Sequence, residues 1–223
     1  MLPLKDDIRS RTRPIVTYVL LGINIIVFFY EVSLGSHLNN FIQVYGATPY
    51  NIFYRGGLSS YMTIFSSMFI HANLMHIFGN MLFLWIFADN IEDRIGHIKF
   101  IIFYLVCGIA AVLLHGVTAM DSQVPMVGAS GAISGVLGAY ILLYPKARIL
   151  ALIPFGFFLR ATYLPSVIFL GIWFLYQFLF GVSTIGAKGG GVAYLAHIGG
   201  FIAGLLLALP FRKKRKNYEY TIL

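Results

Sequence analysis

Gly128-Ala129-Ser130-Gly131-Ala132-Ile133-Ser134-Gly135-Val136-Leu137-Gly138 opens an apolar segment too short to cross a membrane in the ordinary way. From Ser130 to Lys146, the first charge after it, the chain runs about 16 residues, or roughly 24 Å of helix at 1.5 Å per residue. A hydrocarbon core is about 30 Å thick. If Lys146 and Arg148 mark one interface, Ser130 lies several ångströms below the other. A hydroxyl then stands at a helix N-terminus inside the membrane, among glycines that leave the backbone bare. That is an odd place for a serine and a good one for a nucleophile.

The surrounding chain supports a membrane setting. Of 223 residues, 59% are hydrophobic and only 11% charged, against about 25% charged in soluble domains, and mean hydropathy is +0.82. Long charge-free apolar runs recur along nearly the whole length, so the fold class is an all-α polytopic membrane protein. The net charge of +8 does not point to nucleic acid, because the basic residues sit at the termini and in one short loop, as topology signals do. One cysteine, Cys107, in an apolar run, makes no intramolecular disulfide or thiolate cage and reads as a small buried hydrophobe.

Six spans are predicted: about 15–32, 72–88, 100–117, 130–144, 163–180 and 192–211. The first is too long for a signal-peptide core and lacks a small-x-small cleavage site, so it reads as retained. Residues 35–70 form a long connection, rich in aromatics and almost uncharged, expected to lie partly in the interface. Pro145 stops the fourth span, and Lys146, Arg148 and Arg160 bracket an apolar connection. Residues 181–191 are glycine-rich and expected to be mobile. The organisation is thus a basic tail over 1–13, a six-helix domain over 14–211 and a second basic tail over 212–223. The Lys/Arg distribution places both termini in the cytoplasm, in a multi-pass protein of the cell membrane.

Intramembrane polar residues can be ranked by depth. Ser130 stands about 24 Å above Lys146, His197 roughly 22 Å before Arg212, and His76 about 24 Å before Glu92, with Asn80 one turn deeper on the same face. Four costly polar groups share one layer, and such residues usually face the bundle interior and mark function. A serine becomes nucleophilic when a neutral histidine takes its proton, and attack on an amide creates an oxyanion that needs fixed donors. His76, Asn80 and the free N–H groups at the start of the Ser130 helix can supply them. No carboxylate stands at that level to orient the base, since Asp121 is in a loop and Glu31 ends the first span. The arrangement reads as a Ser–His dyad. Gly131-xxx-Gly135 and Gly200-xxx-Gly204 would let the fourth and sixth spans approach closely enough to form it.

Gly128-Ala129-Ser130-Gly131, His71-Ala72-Asn73-Leu74-Met75-His76-Ile77-Phe78-Gly79-Asn80 and Ala196-His197-Ile198-Gly199-Gly200-xxx-Gly204 resemble three signatures of the rhomboid intramembrane serine proteases. The resemblance covers about residues 60–208 and implies the minimal six-span form. It implies Ser130 as nucleophile, His197 as base and His76 with Asn80 as oxyanion donors; Gly128, Gly131 and Gly200 are read as substrate or close-packing positions. It further implies cleavage of membrane-anchored substrates near the extracytoplasmic end of their transmembrane helix, commonly after a small residue, without cofactor. Two departures stand out. Tyr61-Met62-Thr63 replaces the family's frequent Trp-Arg pair, and Ser134 stands where many members carry an aromatic against the base, leaving the Gly199/Gly200 surface to hold His197.

Each residue taken alone has a plainer reading. Ser130 would serve as a helix N-cap, His197 as a satisfied interior histidine, and Ser134 as a packing residue. His71 reads as interfacial or loop-bonding, and His97 and His115 as solvated or interfacial. A metal site is disfavoured, because His71 and His76 are five apart and there is no His-Glu-x-x-His. A transporter would show broken helices in matched halves or a carboxylate relay. The alternative of another class is an inactive rhomboid-like protein that binds transmembrane helices.

Overall fold

The structure, a computed structural model, describes residues 1–156, 158–183 and 193–212. Most of the glycine-rich stretch expected over 181–191 and nearly all of the second basic tail lie outside these residues.

A short strand, β1 (Leu2–Asp6), precedes α1 (Ile15–Ser33). The segment expected as one long connection folds instead into α2 (Leu38–Tyr45), a π-type turn over Asn51–Arg55 and α3 (Gly57–Ser66). With almost no charge and many aromatics, this stretch buries its backbone polar groups by satisfying them helically. Then come α4 (Leu74–Ile95), α5 (His97–Thr118) and α6 (Ser130–Leu143). The hairpin β2 (Arg148–Phe155) and β3 (Phe158–Pro165) leads to α7 (Ser166–Ser183) and α8 (Tyr194–Ala208). Five helical stretches are long and apolar enough to cross a membrane, namely α1, α4, α5, α7 and Tyr194–Phe211, while α6 is the shorter sixth. This is the expected helical membrane bundle, with one addition. β1 pairs antiparallel with β2 and β2 with β3, so residues 2–6 of the expected tail are a sheet edge and the 146–160 connection is largely strand.

α6 is the hub. Apolar or small on every side, it is buried continuously from Gly131 to Tyr140, as a helix hydrophobic all round should be. By contrast α1 and α7 turn Ile26, Phe29, Leu175 and Leu179 outward, the faces available to lipid. Gly96, at φ +85°, ends α4 and starts α5, a backbone position that only glycine adopts at little strain.

The predicted second span was expected to end before Asp89, yet α4 continues through Asp89, Glu92, Asp93 and Arg94 to Ile95. These carboxylates bind the chain's first residues rather than breaking the helix. Glu92 accepts the backbone N–H groups of Val16 at 2.8 Å and Thr17 at 2.7 Å, together with the Thr17 hydroxyl, so it neutralises the positive start of α1. Ser10 donates to Asp89 at 2.7 Å and Thr12 to Asp93. Asn90 Nδ2 donates to Asp6 at 2.8 Å, and the Tyr140 hydroxyl donates to the same carboxylate. Asp7 receives the backbone N–H and the guanidinium of Arg148. β1 is thereby clamped to the charged end of α4 and α6.

Candidate active site

The site depends on how closely α6 and α8 approach. A Cβ at Gly200 would collide with the carbonyl oxygen of Gly131, one at Gly204 with that of Gly135, and one at Gly138 with that of Phe201. Three glycines thus press backbone against backbone along the pair. Gly199 instead faces α5, against Leu114 and the Ala110 carbonyl.

At the top of this contact Ser130 Oγ lies 2.8 Å from His197 Nε2. Ser130 is the first residue of α6; the N-cap is Ala129, and no side chain caps the helix. The N-cap reading of Ser130 therefore does not describe its hydroxyl, which meets the imidazole. The first N–H groups of α6 lie just after it, the earliest intrahelical bond running from Ile133 to Ala129. Ser134 is buried and donates back to the Ser130 carbonyl at 2.6 Å.

His76 and Asn80 come from the first two turns of α4. Asn73 caps that helix by accepting the His76 N–H at 2.9 Å, which fixes where the His76 side chain starts. Gly128, with φ +120°, brings its backbone against this pair. A Cβ there would stand 2.6 Å from His76 Nε2 and 3.6 Å from Asn80 Nδ2. Gly128 is further fixed by its N–H donating to the Ser67 carbonyl at 2.8 Å. Asn80 is buried, and its Nδ2 has no hydrogen-bond partner among the described residues. All four expected residues, Ser130, His197, His76 and Asn80, therefore gather around the start of α6.

A cavity of about 30 Å³ opens beside Ser130, the scale of one water or one methyl group. Its walls include Met68, Gly108, Ala111, Met126 and Ala196, and Met68 reaches the space that a Cβ on Gly108 would need.

His71 departs from its interfacial reading: it is fully buried, edge-on to His76 at 5.1 Å between ring centroids. Its backbone N–H donates to the Glu31 carboxylate at 3.1 Å, so Glu31, buried at the end of α1, ties that helix to the chain just before α4. His97 is paired with Glu92 at 2.5 Å.

Sequence reasoning missed two side chains on α7. Gln177 Oε1 lies 2.8 Å from His197 Nδ1, and the Trp173 ring stands 6.0 Å from the imidazole, inclined by 32°. The available signal was composition, because Gln177 is the sole amide in the apolar run 166–183.

The Rhomboid domain family model matches residues 58–214. The chain is 32% identical over 201 residues to the rhomboid protease GluP of Bacillus subtilis, covering 89% of this chain and 36% of that protein. It is 30% identical over 195 residues to the mitochondrial rhomboid protein 1 of Saccharomyces cerevisiae, covering 85% and 51%. With the rhomboid protease AarA of Providencia stuartii it shares 28% identity over 213 residues, covering 87% and 72%. The chain thus spans about a third and a half of the length of the first two relatives.

Proposed function

The chain belongs to the rhomboid family, a multi-pass membrane protein with relatives named as rhomboid proteases, and from that premise we propose that it is an intramembrane serine endopeptidase working through a Ser130–His197 dyad. The observation that carries this reading is the 2.8 Å approach of Ser130 Oγ to His197 Nε2 across a glycine-lined helix contact.

In the proposed reaction His197 Nε2 takes the hydroxyl proton as Ser130 Oγ attacks the scissile carbonyl carbon. The carbonyl oxygen, now negative, is received by the His76 ring N–H, by Asn80 Nδ2 and by the first backbone N–H groups of α6. An unmatched buried amide donor at Asn80 is what such a site needs before substrate arrives. The C–N bond then breaks, His197 returns its proton to the leaving amine, and water releases the acyl group by the same base. No step calls for a cofactor.

The substrates are proposed to be membrane-anchored proteins, cut near the extracytoplasmic end of their transmembrane helix. The cavity beside Ser130, walled by the small residues Gly108, Ala111 and Ala196, favours a small side chain next to the cleaved bond. The Lys/Arg pattern supports cytoplasmic termini, and the cell membrane is the proposed location.

The test is labelling of purified protein in detergent with a fluorophosphonate serine probe. Wild type should label, while Ser130→Ala should not and His197→Ala should label at a small fraction of the rate. Labelling of Ser130→Ala at the wild-type rate would remove Ser130 as nucleophile. Absence of labelling in folded wild type would favour a protein that binds transmembrane helices without cutting them.

A further inference from the structure

A dyad leaves one ring nitrogen of the base unassigned. For Nε2 to accept a proton from Ser130, it must present its lone pair, so the neutral ring has to carry its proton on Nδ1. Nothing in the Ser130–His197 contact enforces that tautomer or prevents the ring from rotating. Ser134, one turn after the serine, turns back to bond the Ser130 carbonyl at 2.6 Å.

α7 supplies what α6 lacks. Much of its surface is exposed and apolar, Ile172, Leu175, Phe178 and Leu179 among it, yet Gln177 is buried at 6% exposure. Sequestering an amide in an apolar helix costs several kcal/mol in hydrocarbon unless it is hydrogen-bonded. The bond it makes is to His197 Nδ1, at 2.8 Å. Trp173 is four residues earlier, hence on the same face, and its ring stands 6.0 Å from His197 and 6.2 Å from Phe201. Hydrogen bond and ring platform both reach the base from one helix.

The geometry points to Gln177 as the positioning residue of the base, with Trp173 as its platform: the Gln177 carbonyl accepts the His197 Nδ1–H and so presents the Nε2 lone pair to Ser130. This rests on the dyad reading above and extends it to a third member. The amide suits its surroundings. A carboxylate in that position would carry a full charge in an apolar bundle, while a neutral amide oxygen still accepts the bond. That bond strengthens when the ring becomes cationic in the reaction, because charge-assisted hydrogen bonds are stronger than neutral ones. Gln177 touches neither substrate nor the reacting atoms and acts through His197 alone.

Two substitutions separate this role from simple packing. Gln177→Met keeps length and apolar contact but offers the Nδ1–H only a weak thioether acceptor, whereas Gln177→Glu keeps an acceptor oxygen in either protonation state. With the full chain in detergent and a fluorophosphonate probe, the inactivation rate constant and the probe's affinity are measured separately. Gln177→Met should slow inactivation about ten- to a hundredfold, the range seen for partners that orient metal-bound histidines, at unchanged affinity and with the thermal midpoint lowered only modestly, since the Nδ1–H loses its amide acceptor. Gln177→Glu should retain most of the wild-type rate. A packing role predicts the opposite order, so wild-type speed in Gln177→Met, or equal slowing in Gln177→Glu, overturns the proposal. Ser130→Ala run alongside keeps the two readings apart, because its labelling would defeat the dyad whatever Gln177 does. If Gln177→Met does not fold, ¹⁵N spectra of histidine-labelled wild type decide, with the His197 signals assigned by their loss in His197→Asn. Protonated Nδ1 and bare Nε2 are expected, and the reverse tautomer overturns the proposal.

Discussion

Asn80 and Asn90 lie ten residues apart on α4, both buried, and their surroundings are opposite. Asn90 is engaged at both levels: its side-chain Nδ2 donates to Asp6 at 2.8 Å and to Asp89 at 3.0 Å, and its backbone carbonyl accepts the Tyr144 hydroxyl. Asn80 Nδ2 has no partner among the described residues. The charged end of the bundle is a network in which each polar group named above serves another part of the chain, tying β1 and α1 to α4 and α6. At the serine end a donor is left over. In a medium without water, a matched polar group stabilises the fold, while an unmatched one costs about 1–3 kcal/mol. Among the described residues Asn80 Nδ2 is one of several such groups, with Asn24 Oδ1 and the Tyr104 hydroxyl among them, and it is set against Gly128 beside the serine.

The largest effect should come from separating α6 and α8, whose close contact assembles the serine end. In Gly200→Val the Cβ already collides with the Gly131 carbonyl, and the two γ-carbons force the helices further apart. A displacement of about 1 Å at reacting groups can cost about 10²-fold. Probe labelling at Ser130 is therefore expected to be lost, with a lowered thermal midpoint. Gly79→Ala serves as control, because nothing lies within 4 Å of a Cβ there. Wild-type labelling in Gly200→Val would break the claim that the glycine contact assembles the site.

The two asparagines offer a sharper, smaller test. Asn80→Ala should lower the rate of substrate cleavage by about 10²–10³, the scale for one oxyanion donor, with the thermal midpoint held, since no protein bond to Nδ2 is lost. Asn90→Ala should do the reverse, lowering stability by about 1–3 kcal/mol because Asp6 loses a buried donor, while the folded fraction labels normally. Cleavage kinetics and thermal melts on both variants check this crossover. If Asn80→Ala proved the less stable and the still active variant, the contrast drawn from their partners would fail.

Much of the serine end was legible because helix rise is fixed: counting back from the charges put Ser130, His197 and His76 at one depth, and the structure brings their side chains to one place. Glycine spacing told which helices meet, since Gly131 and Gly200 oppose each other. The charged end was harder. Asp89, Glu92 and Asp93 looked like a helix stop, and only the fold reveals that their partners are Ser10, Thr12 and Thr17, more than 70 residues away. β1 is five residues long and gains its stability from pairing with β2, a contact no local pattern records. Gln177 was visible as an isolated amide, but its depth could not be counted from a nearby charge, so its meeting with His197 required the packing of α7 on α8. Glu31 was dismissed as a span end, although an acid in an apolar run needs a partner, and the partner is a backbone N–H at His71.

The smallest expected effect concerns pH, and it is centred on Asp6 at the charged end. Burial, opposed by the Tyr140 hydroxyl bond and reinforced by the nearby Asp89 and Asp7 charges, pushes the Asp6 carboxyl up to about 7, from an ordinary 3.8. Between those values the folded chain holds a proton that the unfolded chain has released. Stability rises with pH only where the unfolded state binds more protons, so here it falls. The contribution of Asp6 is complete below about pH 4 and is lost as pH climbs through about 7. The thermal midpoint in detergent should accordingly drop by a few degrees between pH 5 and pH 8, consistent with the roughly 2–4 °C per kcal/mol of domains this size. Asp6→Asn, which keeps a neutral polar group in place, should flatten that slope and leave the midpoint nearest to wild type at the acid end. Ser130 labelling of the folded protein, measured at each pH as a ratio of variant to wild type, should stay constant. A slope identical in Asp6→Asn would mean that β1 docks without protonation of this acid, and a changing ratio would mean that the two ends of α4 are coupled rather than separate.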